Sequence, residues 1–259
     1  MNVMRTVMDV RAALAERRDG RVGLVPTMGA LHDGHRALLR AARETSDTVV
    51  MSLFVNPAQL GDGSDLNGYP REEPADLATA RAEGVDLVFA PSAEELYPPG
   101  YQTWVEVTEL GALLEGVFRP GHFRGVATVC LKLFTIVRPD LVFFGQKDAQ
   151  QVEVVRRLIL DLHLESQLVV VPTVRSADGL AHSSRNARLS DDERQRALAL
   201  HRALETREPE TARALLEAAD LEIDYVAVAP FDPPTLAAAV RAGSTRLIDN
   251  VPLEPEVDE

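Results

Sequence analysis

Short apolar runs alternate with amphipathic segments over the first two thirds of the chain. Thr48–Val55 is a continuous apolar and β-branched run, which is typical of a strand buried on both faces. Gly34–Thr45 instead carries Leu38, Leu39 and Ala42 at helical spacing, and this predicts an amphipathic helix. Alternating strands and helices predict an α/β fold with a doubly wound parallel sheet, whose ligands bind outside the carboxyl ends of the strands.

The same patterns predict the other elements of this part of the chain. Further strands are predicted at Arg21–Val25, which stops before Pro26, and at Val85–Ala90, Leu141–Phe144 and Gln167–Val171. Further helices are predicted at Glu72–Glu83, Phe123–Val137 and Ala149–Leu162.

From about Val174 the pattern changes to that of a small α+β domain. Helices are predicted at Asp191–Leu204 and Glu210–Ala219, and strands at Ile223–Val228 and Thr245–Ile248. We therefore expect a doubly wound domain over residues 1–173 and a small C-terminal domain over residues 174–259. The acidic tail, Glu254–Glu259, is expected to be frayed.

Composition and charge exclude several classes of function. A net charge of −13 argues against broad binding to nucleic acid or to anionic membranes. The chain contains no apolar run long enough for a transmembrane helix, and its N-terminus lacks the apolar core of a signal peptide. The single cysteine, Cys130, excludes a disulfide framework, fits a reducing cytosol and is interpreted as a small core residue.

Residues 26–35 form the first cluster that can carry chemistry, between a predicted strand and a predicted helix. His32 and His35 flank Gly34 at the helix N-terminus, where unpaired N–H groups and the helix dipole attract anions. Imidazoles there can donate hydrogen bonds to phosphate oxygens as charge builds up during a displacement. The alternative is a capped helix with two solvated histidines.

A second cluster, Gly145–Asp148, also follows a strand and precedes a helix. Of the 27 basic residues only Lys132 and Lys147 are lysines, and Lys147 can reach phosphates as a point charge. Asp148 either caps the helix or binds ribose hydroxyls. Gln151 lies one turn further along the helix.

Two further polar clusters lie at strand ends or in the loops that follow. In the cluster Ser183–Asn186, the two hydroxyls and the guanidinium of Ser183, Ser184 and Arg185 can form a mobile phosphate clamp; the alternative is an ordinary capping loop, although Ser190 is a better helix cap. Asn56 and Gln59 follow the central strand and can hydrogen-bond hydroxyls and a carboxylate. We expect all four clusters to converge on one crevice.

Seven motifs spread from about Arg21 to Asn250 make the chain resemble the pantothenate synthetase (pantoate–β-alanine ligase) family. They are PTMGALHDGH, FVNPAQ, YPR, GHFRGVATV, RPDLVFFGQKDAQQ, VPTVRSADGLAHSSRN and TRLIDN. The resemblance implies a Rossmann-like N-terminal domain and a C-terminal lid in a cytoplasmic homodimer. It also implies ATP as co-substrate, Mg²⁺ as cofactor, and pantoate and β-alanine as substrates. Pantoate is first adenylated with release of pyrophosphate, and the amine then displaces AMP.

The resemblance also assigns residue roles. Catalytic roles fall on His32, His35, Lys147, Ser183, Ser184 and Arg185, with His35 matching a proton donor. ATP-binding roles fall on Met28, Gly29, Ala30, Leu31, His32, Asp33, Gly34, His35, Gly145, Gln146, Lys147, Asp148, Val174, His182, Ser183, Ser184 and Arg185. Substrate binding falls on Asn56, Gln59 and Gln151, and Asp76 matches a carboxylate near the metal, whose ligands are otherwise unassigned.

Three residues depart from the family pattern. This chain has Leu60, Gln146 and His182 where family members usually carry Phe, Glu and Met, respectively. The C-terminal domain is also shorter than is usual in the family, because segments between Arg188 and Thr245 are missing from this chain. The alternative is therefore a sister amide ligase that uses a different small hydroxy acid or amine. Two further alternatives are a nucleotidyltransferase that releases pyrophosphate but no AMP, and a non-catalytic nucleotide-binding protein.

Overall fold

The computed structural model describes residues 1–17, 19–60, 66 and 68–253. Internal contacts divide the chain into two compact units. The first unit comprises Met1–Gly145 and Val154–Val171, and the second comprises Gln146–Glu153 and Pro172–Glu259. The domain boundary at residue 173 stays a prediction, and the tail predicted to be frayed lies outside the described residues.

A six-stranded parallel sheet forms the centre of the first unit, which confirms the predicted fold class. Its strands are β1 (Asn2–Met4), β2 (Val22–Thr27), β3 (Thr48–Leu53), β4 (Leu87–Phe89), β5 (Leu141–Gly145) and β6 (Gln167–Val171). They are ordered β1-β4-β3-β2-β5-β6. The chain therefore proceeds in one direction from β2 and in the other from β5, so the switch point of the sheet lies between these two strands.

Helices cover this sheet and supply much of its apolar core. They are α1 (Val7–Ala15), α2 (Asp33–Thr45), α3 (Pro57–Leu60), α4 (Glu73–Ala82), α5 (Ala93–Leu96), α6 (Glu115–Phe118), α7 (His122–Val137) and α8 (Ala149–Asp161). Only the last residues of α8, from Val154, belong to the first unit. Leu39 of α2 packs with Met51 and Phe143 of the sheet, all fully buried. Strand β1 and helix α1 are not predicted from the sequence.

The predicted end of β2 before Pro26 is wrong, since the strand continues through the proline to Thr27. The backbone N–H and C=O of Val22 both contact Asp140, so the backbone N–H and C=O groups of the even-numbered residues of β2 point toward β5. Pairing with β5 ends at Leu24, and the missing N–H of Pro26 therefore interrupts no ladder bond. On the other side, the Thr27 carbonyl accepts from the Phe54 N–H at 3.0 Å.

A three-stranded antiparallel sheet packed on helices forms the core of the second unit. The strands, in the order β7-β8-β9, are β7 (Glu222–Ala229), β8 (Thr235–Ala242) and β9 (Thr245–Pro252). The helices are α9 (Asp191–Ala197), α10 (Ala199–Leu204) and α11 (Pro209–Ala218). Short 3₁₀ segments span Gln146–Asp148 and Ser184–Arg188.

Two features of the second unit differ from the sequence-based expectation. The predicted helix Asp191–Leu204 is divided at Leu198, whose N–H contacts the carbonyls of both Arg194 and Arg196. Strand β8 was not predicted because four of its eight residues are alanines, which favour helices. Its alanines nevertheless pack well, because β8 is the central strand and is buried on both faces.

Cys130 lies on α7 and is 3% exposed, which confirms its interpretation as a core residue. Burial raises the pKa of its thiol to about 12, so the side chain stays protonated and unreactive at neutral pH. Within the described part of the chain, no helix has the length and apolarity needed to cross a bilayer.

Candidate active site

The loop that follows β2 is held in place by a buried carboxylate. Asp76 on α4 is 4% exposed, and its two oxygens accept from the N–H groups of Ala30 at 3.1 Å and Leu31 at 2.8 Å. Gly29 and Ala30 both have positive φ angles, 89° and 52°. A Cβ on Gly29 would lie 2.7 Å from an Asp76 oxygen, so glycine is required there. This carboxylate therefore fixes the conformation of the glycine-bearing loop.

Two histidines cap the N-terminus of α2. His32 is the N-cap residue, and its Nδ1 accepts from the Gly34 N–H at 3.1 Å. His35 returns the contact, since its Nδ1 accepts from the His32 N–H at 3.3 Å. Their ring centroids are 4.1 Å apart. The arrangement has the reciprocal geometry of a capping box, built here from imidazoles instead of hydroxyl and carboxylate groups.

This reciprocal cap determines the tautomer of both rings. A neutral imidazole has one N–H donor and one acceptor nitrogen, and in both histidines Nδ1 is the acceptor. The proton of each neutral ring is therefore on Nε2, the nitrogen further from the helix backbone. The cap and the anion-binding role, which the sequence left as alternatives, are compatible because they use different nitrogens of the same ring.

The amide of Gln59 is oriented by a buried neighbour. Asn56 is 1% exposed, and its Nδ2 donates to Gln59 Oε1 at 2.9 Å and to the Gly125 carbonyl at 3.2 Å. Its Oδ1 accepts from the Ala58 N–H. Both donors and the acceptor of Asn56 thus have protein partners, and Gln59 is left to present its NH₂ donors.

Helix α7 supports the same segment. A Cβ on Gly125 would lie 2.3 Å from the Ala58 carbonyl oxygen and 2.6 Å from the Gln59 backbone nitrogen. His122 is 8% exposed, and its Nδ1 donates to the Gln59 carbonyl at 3.0 Å. Neither residue was assigned a role from the sequence, although both belong to the motif GHFRGVATV. Their role follows from a close approach of two backbone segments, which only coordinates reveal.

In the second unit, Lys147 lies on a tight turn whose backbone is held by Asn250. The Asn250 Nδ2 donates to the carbonyls of Gln146 at 2.9 Å and Lys147 at 2.8 Å. The Lys147 side chain is 19% exposed, and its ammonium lies 3.8 Å from a carboxylate oxygen of Asp148. Gln151 follows in the first turn of α8 and is half-buried.

A cavity within the second unit brings together three of the predicted site residues, Lys147, Ser183 and Arg185. His182 and Ser184 are both half-buried and do not line it. The Ser183 Oγ caps the 3₁₀ segment by accepting from the Arg185 N–H at 3.2 Å. The helix cap expected at Ser190 is confirmed as a capping box with Glu193.

Three further polar residues line this cavity: Asn186, which belongs to the predicted cluster Ser183–Asn186 without an assigned role, and Arg246 and Asp249, which the sequence did not single out. Arg246 and Asp249 belong to the motif TRLIDN, to which the family resemblance assigns no role. Asp249 is 4% exposed and pairs through both oxygens with Arg175, at 2.6 and 3.0 Å.

Asp249 thereby holds the loop that leads to Ser183. Arg175 also donates to the Gly179 carbonyl and forms an isolated bridge with Ala181. The Val174 carbonyl accepts from the His182 N–H at 3.0 Å. These contacts fold residues 174–182 into a hairpin whose end leads directly to the serines.

The described residues contain no group of three or more His, Cys, Asp or Glu side chains suited to hold a metal ion. Asp76, which the resemblance places near the metal, is buried and uses one lone pair of each oxygen on a loop N–H. A Mg²⁺ ion is nevertheless commonly held by one or two carboxylates together with substrate phosphates and water. The described side chains therefore offer no cage made by protein alone.

Comparison with known proteins decides the family. The family model described as pantoate-beta-alanine ligase matches residues 2–252. The chain belongs to this family of ligases. A pantothenate synthetase of Roseiflexus sp. (strain RS-1) is 48% identical over 98% of this chain and 100% of its own length.

Solved structures of pantoate–β-alanine ligases agree with this assignment. A pantothenate synthetase from Thermus thermophilus is 44% identical, with a TM-score of 0.93 over 98% of this chain and 100% of that chain. The Francisella tularensis ligase, complexed with beta-gamma ATP and beta-alanine, is 32% identical with a TM-score of 0.89 over 97% of each chain.

In this member of the pantoate–β-alanine ligase family, we expect the neutral rings of both capping histidines to carry their proton on Nε2. The reason is that each Nδ1 accepts a backbone N–H. Nitrogen-15 NMR of histidine-labelled enzyme measures this directly, and His32→Ala and His35→Ala assign the two signals. A neutral ring of either residue protonated at Nδ1 would contradict the cap geometry.

Gly125→Ala is expected to destabilise the ligase by about 1–3 kcal/mol, since the new methyl group overpacks the backbone of α3. The matched control is Gly111→Ala, whose added Cβ meets only Phe123 at 3.4 Å. Urea unfolding of both variants measures the difference. Equal midpoints for the two variants would show that α3 shifts to accommodate the methyl group.

Proposed function

We infer that the enzyme makes pantothenate by an ATP-dependent condensation of pantoate with β-alanine. The observation that carries this conclusion is the family match over residues 2–252, which includes the histidine cap and the Lys147 turn. The pantoate carboxylate attacks the α-phosphorus and pyrophosphate leaves. The amine of β-alanine then attacks the acyl carbon of pantoyl adenylate, AMP leaves, and the nitrogen loses a proton.

We propose that the segment Met28–His35 binds the phosphates of ATP. Asp76 already accepts from the N–H groups of Ala30 and Leu31 and thereby fixes this loop, so the N-terminus of α2 and its two histidines need no reorganisation when the anion arrives. His32 and His35 donate from Nε2 while their Nδ1 atoms keep the helix capped. The proton-donor role that the resemblance gives His35 requires its imidazolium form, in which Nδ1 also carries a proton and no longer accepts from the His32 N–H.

Lys147, Ser183, Ser184 and Arg185 are proposed to stabilise the charge that develops on the transferred and leaving phosphates. The support for this role is that three of them line one cavity of the second unit. An ammonium supplies a compact point charge, whereas a guanidinium can hold two phosphate oxygens at once.

The acid is proposed to be held by Gln59 and Gln151, with Asn56 acting on Gln59 rather than on the substrate. Because Gln59 Oε1 is engaged by Asn56, its NH₂ group faces the ligand as a donor to the pantoate oxygens. The remaining ATP-binding residues are proposed to be Gly145, Gln146, Asp148, Val174 and His182. No side-chain nucleophile is needed, in agreement with the buried, protonated Cys130.

Mg²⁺ is proposed to accompany ATP, held chiefly by the phosphates, where it would neutralise part of their charge. Asp76 of α4, which holds the loop, is the candidate carboxylate, and its remaining lone pairs leave room for one contact at most from each oxygen. We also propose a cytoplasmic homodimer, on the family resemblance alone.

The test of the reaction is AMP release from Mg·ATP, with each acid and amine supplied separately and together. AMP is expected only when pantoate and β-alanine are both present, and pyrophosphate exchange is expected with pantoate alone. Silence of both assays on pantoate, followed by activity with another hydroxy acid, would establish the sister ligase instead.

Lys147→Ala is expected to lower kcat by about 10²–10³-fold, the usual cost of losing one preorganised charge donor. The fold should be retained, because Asn250 holds this turn through the carbonyls of Gln146 and Lys147 and not through the lysine side chain. Arg202→Ala, which removes an exposed cation of the same unit, is the control and should leave kcat unchanged. Near-normal AMP release by the lysine variant would remove Lys147 from the mechanism.

A further inference from the structure

Asn250 makes an unusual set of contacts with the turn that carries Lys147. It lies on β9 and is 4% exposed. Its single NH₂ group donates to two successive carbonyls, those of Gln146 and Lys147, at 2.9 and 2.8 Å. Its Oδ1 accepts from the Gln146 side-chain amide at 3.4 Å. Both donors and the acceptor of this side chain are therefore used on the same turn.

Two hydrogen bonds to consecutive carbonyls fix the peptide that joins Gln146 to Lys147 and the one that follows it. The direction of the Lys147 Cα–Cβ bond depends on these two peptide planes, because φ and ψ are the soft torsions of the backbone. An amide side chain offers two N–H donors from one nitrogen, whereas a carboxylate offers none and a hydroxyl offers one.

The neighbouring residue on the strand supports the same interpretation. Asp249 Oδ1 accepts from the Asn250 N–H at 2.9 Å while its carboxylate holds Arg175. Consecutive residues of β9 thus anchor the Lys147 turn and the hairpin that leads to Ser183. Lys147 and Ser183 line one cavity of this unit, and β9 fixes the backbone segments that carry both of them.

We propose that Asn250 is a positioning residue that acts on the reaction through Lys147. It fixes the backbone of the turn so that the ammonium is aimed at the phosphates, and it does not itself touch the substrate. This inference rests on the role proposed above for Lys147. A misplacement of a catalytic group by about 1 Å can cost on the order of 10²-fold in rate, so a remote clamp has a measurable effect.

The first experiment compares Asn250→Asp, which keeps the shape of the side chain, with Asn250→Ser, which keeps one donor. We expect kcat for pantoate-dependent pyrophosphate exchange to fall by about 10–100-fold in the aspartate variant and by less in the serine variant. The KM for pantoate should stay within about twofold, because the clamp acts on a catalytic group and not on the acid. An unchanged kcat in both variants would overturn the proposal.

Thr235→Val is the control for a purely structural effect. Thr235 lies on the adjacent strand, is 1% exposed and donates to the Pro233 carbonyl at 2.9 Å. We expect this variant to unfold at a lower temperature than the unmodified enzyme with its kcat unchanged. If it lowered kcat as much as Asn250→Ser at equal thermal stability, the effect of Asn250 would be structural and the proposal would be wrong.

A double-mutant cycle with Lys147→Ala separates this inference from the proposed function. If Asn250 acts through Lys147, replacing Asn250 in the Lys147→Ala background should cost less than about twofold. Full additivity of the two losses would overturn the positioning role while leaving Lys147 in the mechanism. A fully active Lys147→Ala enzyme would instead refute the role of Lys147. Asn250→Ser serves in the cycle if Asn250→Asp does not fold.

Discussion

Parallel pairing of β2 with β3 and β5 is the constraint on which the first unit depends. Because β2 joins the two directions of chain progression, the segment after it emerges at the switch point of the sheet. The chain then needs a sharp change of direction into α2, which Gly29 and Ala30 provide with positive φ angles. Apolar residues such as Leu24 and Phe143 fill the core beneath, so polar groups concentrate where the strands end.

Side chains proposed to meet ligands are held by other polar side chains that are themselves buried. Asp76 fixes the loop that follows β2, Asn56 orients Gln59, and Asn250 holds the Lys147 turn. Each is at most 4% exposed and has its oxygens or amide nitrogen engaged with protein partners. A buried polar group without a partner is costly, so these networks are rigid in one arrangement. This rigidity positions hydrogen-bond donors before the substrate binds. Such preorganisation is the main source of electrostatic catalysis.

Sequence patterns predict the parallel sheet well, because runs such as Thr48–Leu53 must be buried on both faces. They also locate the histidine and lysine clusters, since residue type and strand-end position are local properties. The tautomers of His32 and His35 and the contact of Gly125 with α3 could not be predicted, since both depend on distances of a few tenths of an ångström. Strand β8 was missed because tertiary pairing overrides the helical preference of its alanines.

The hairpin β8–β9 has a two-residue connection, Gly243 and Ser244, between the paired residues Ala242 and Thr245. In a tight hairpin the turn length sets the alignment of every later pair, and a slip of one residue exchanges the two faces of a strand. Asp249 is charged and accepts hydrogen bonds from Arg175, whereas Asn250 is neutral and donates to two carbonyls, so neither can replace the other. An insertion or deletion in this short turn would therefore move the side chains of both Asp249 and Asn250 to the opposite faces of β9, although neither Gly243 nor Ser244 is itself among the proposed site residues. The length of this exposed connection therefore determines which residue of β9 faces the Lys147 turn and which faces Arg175.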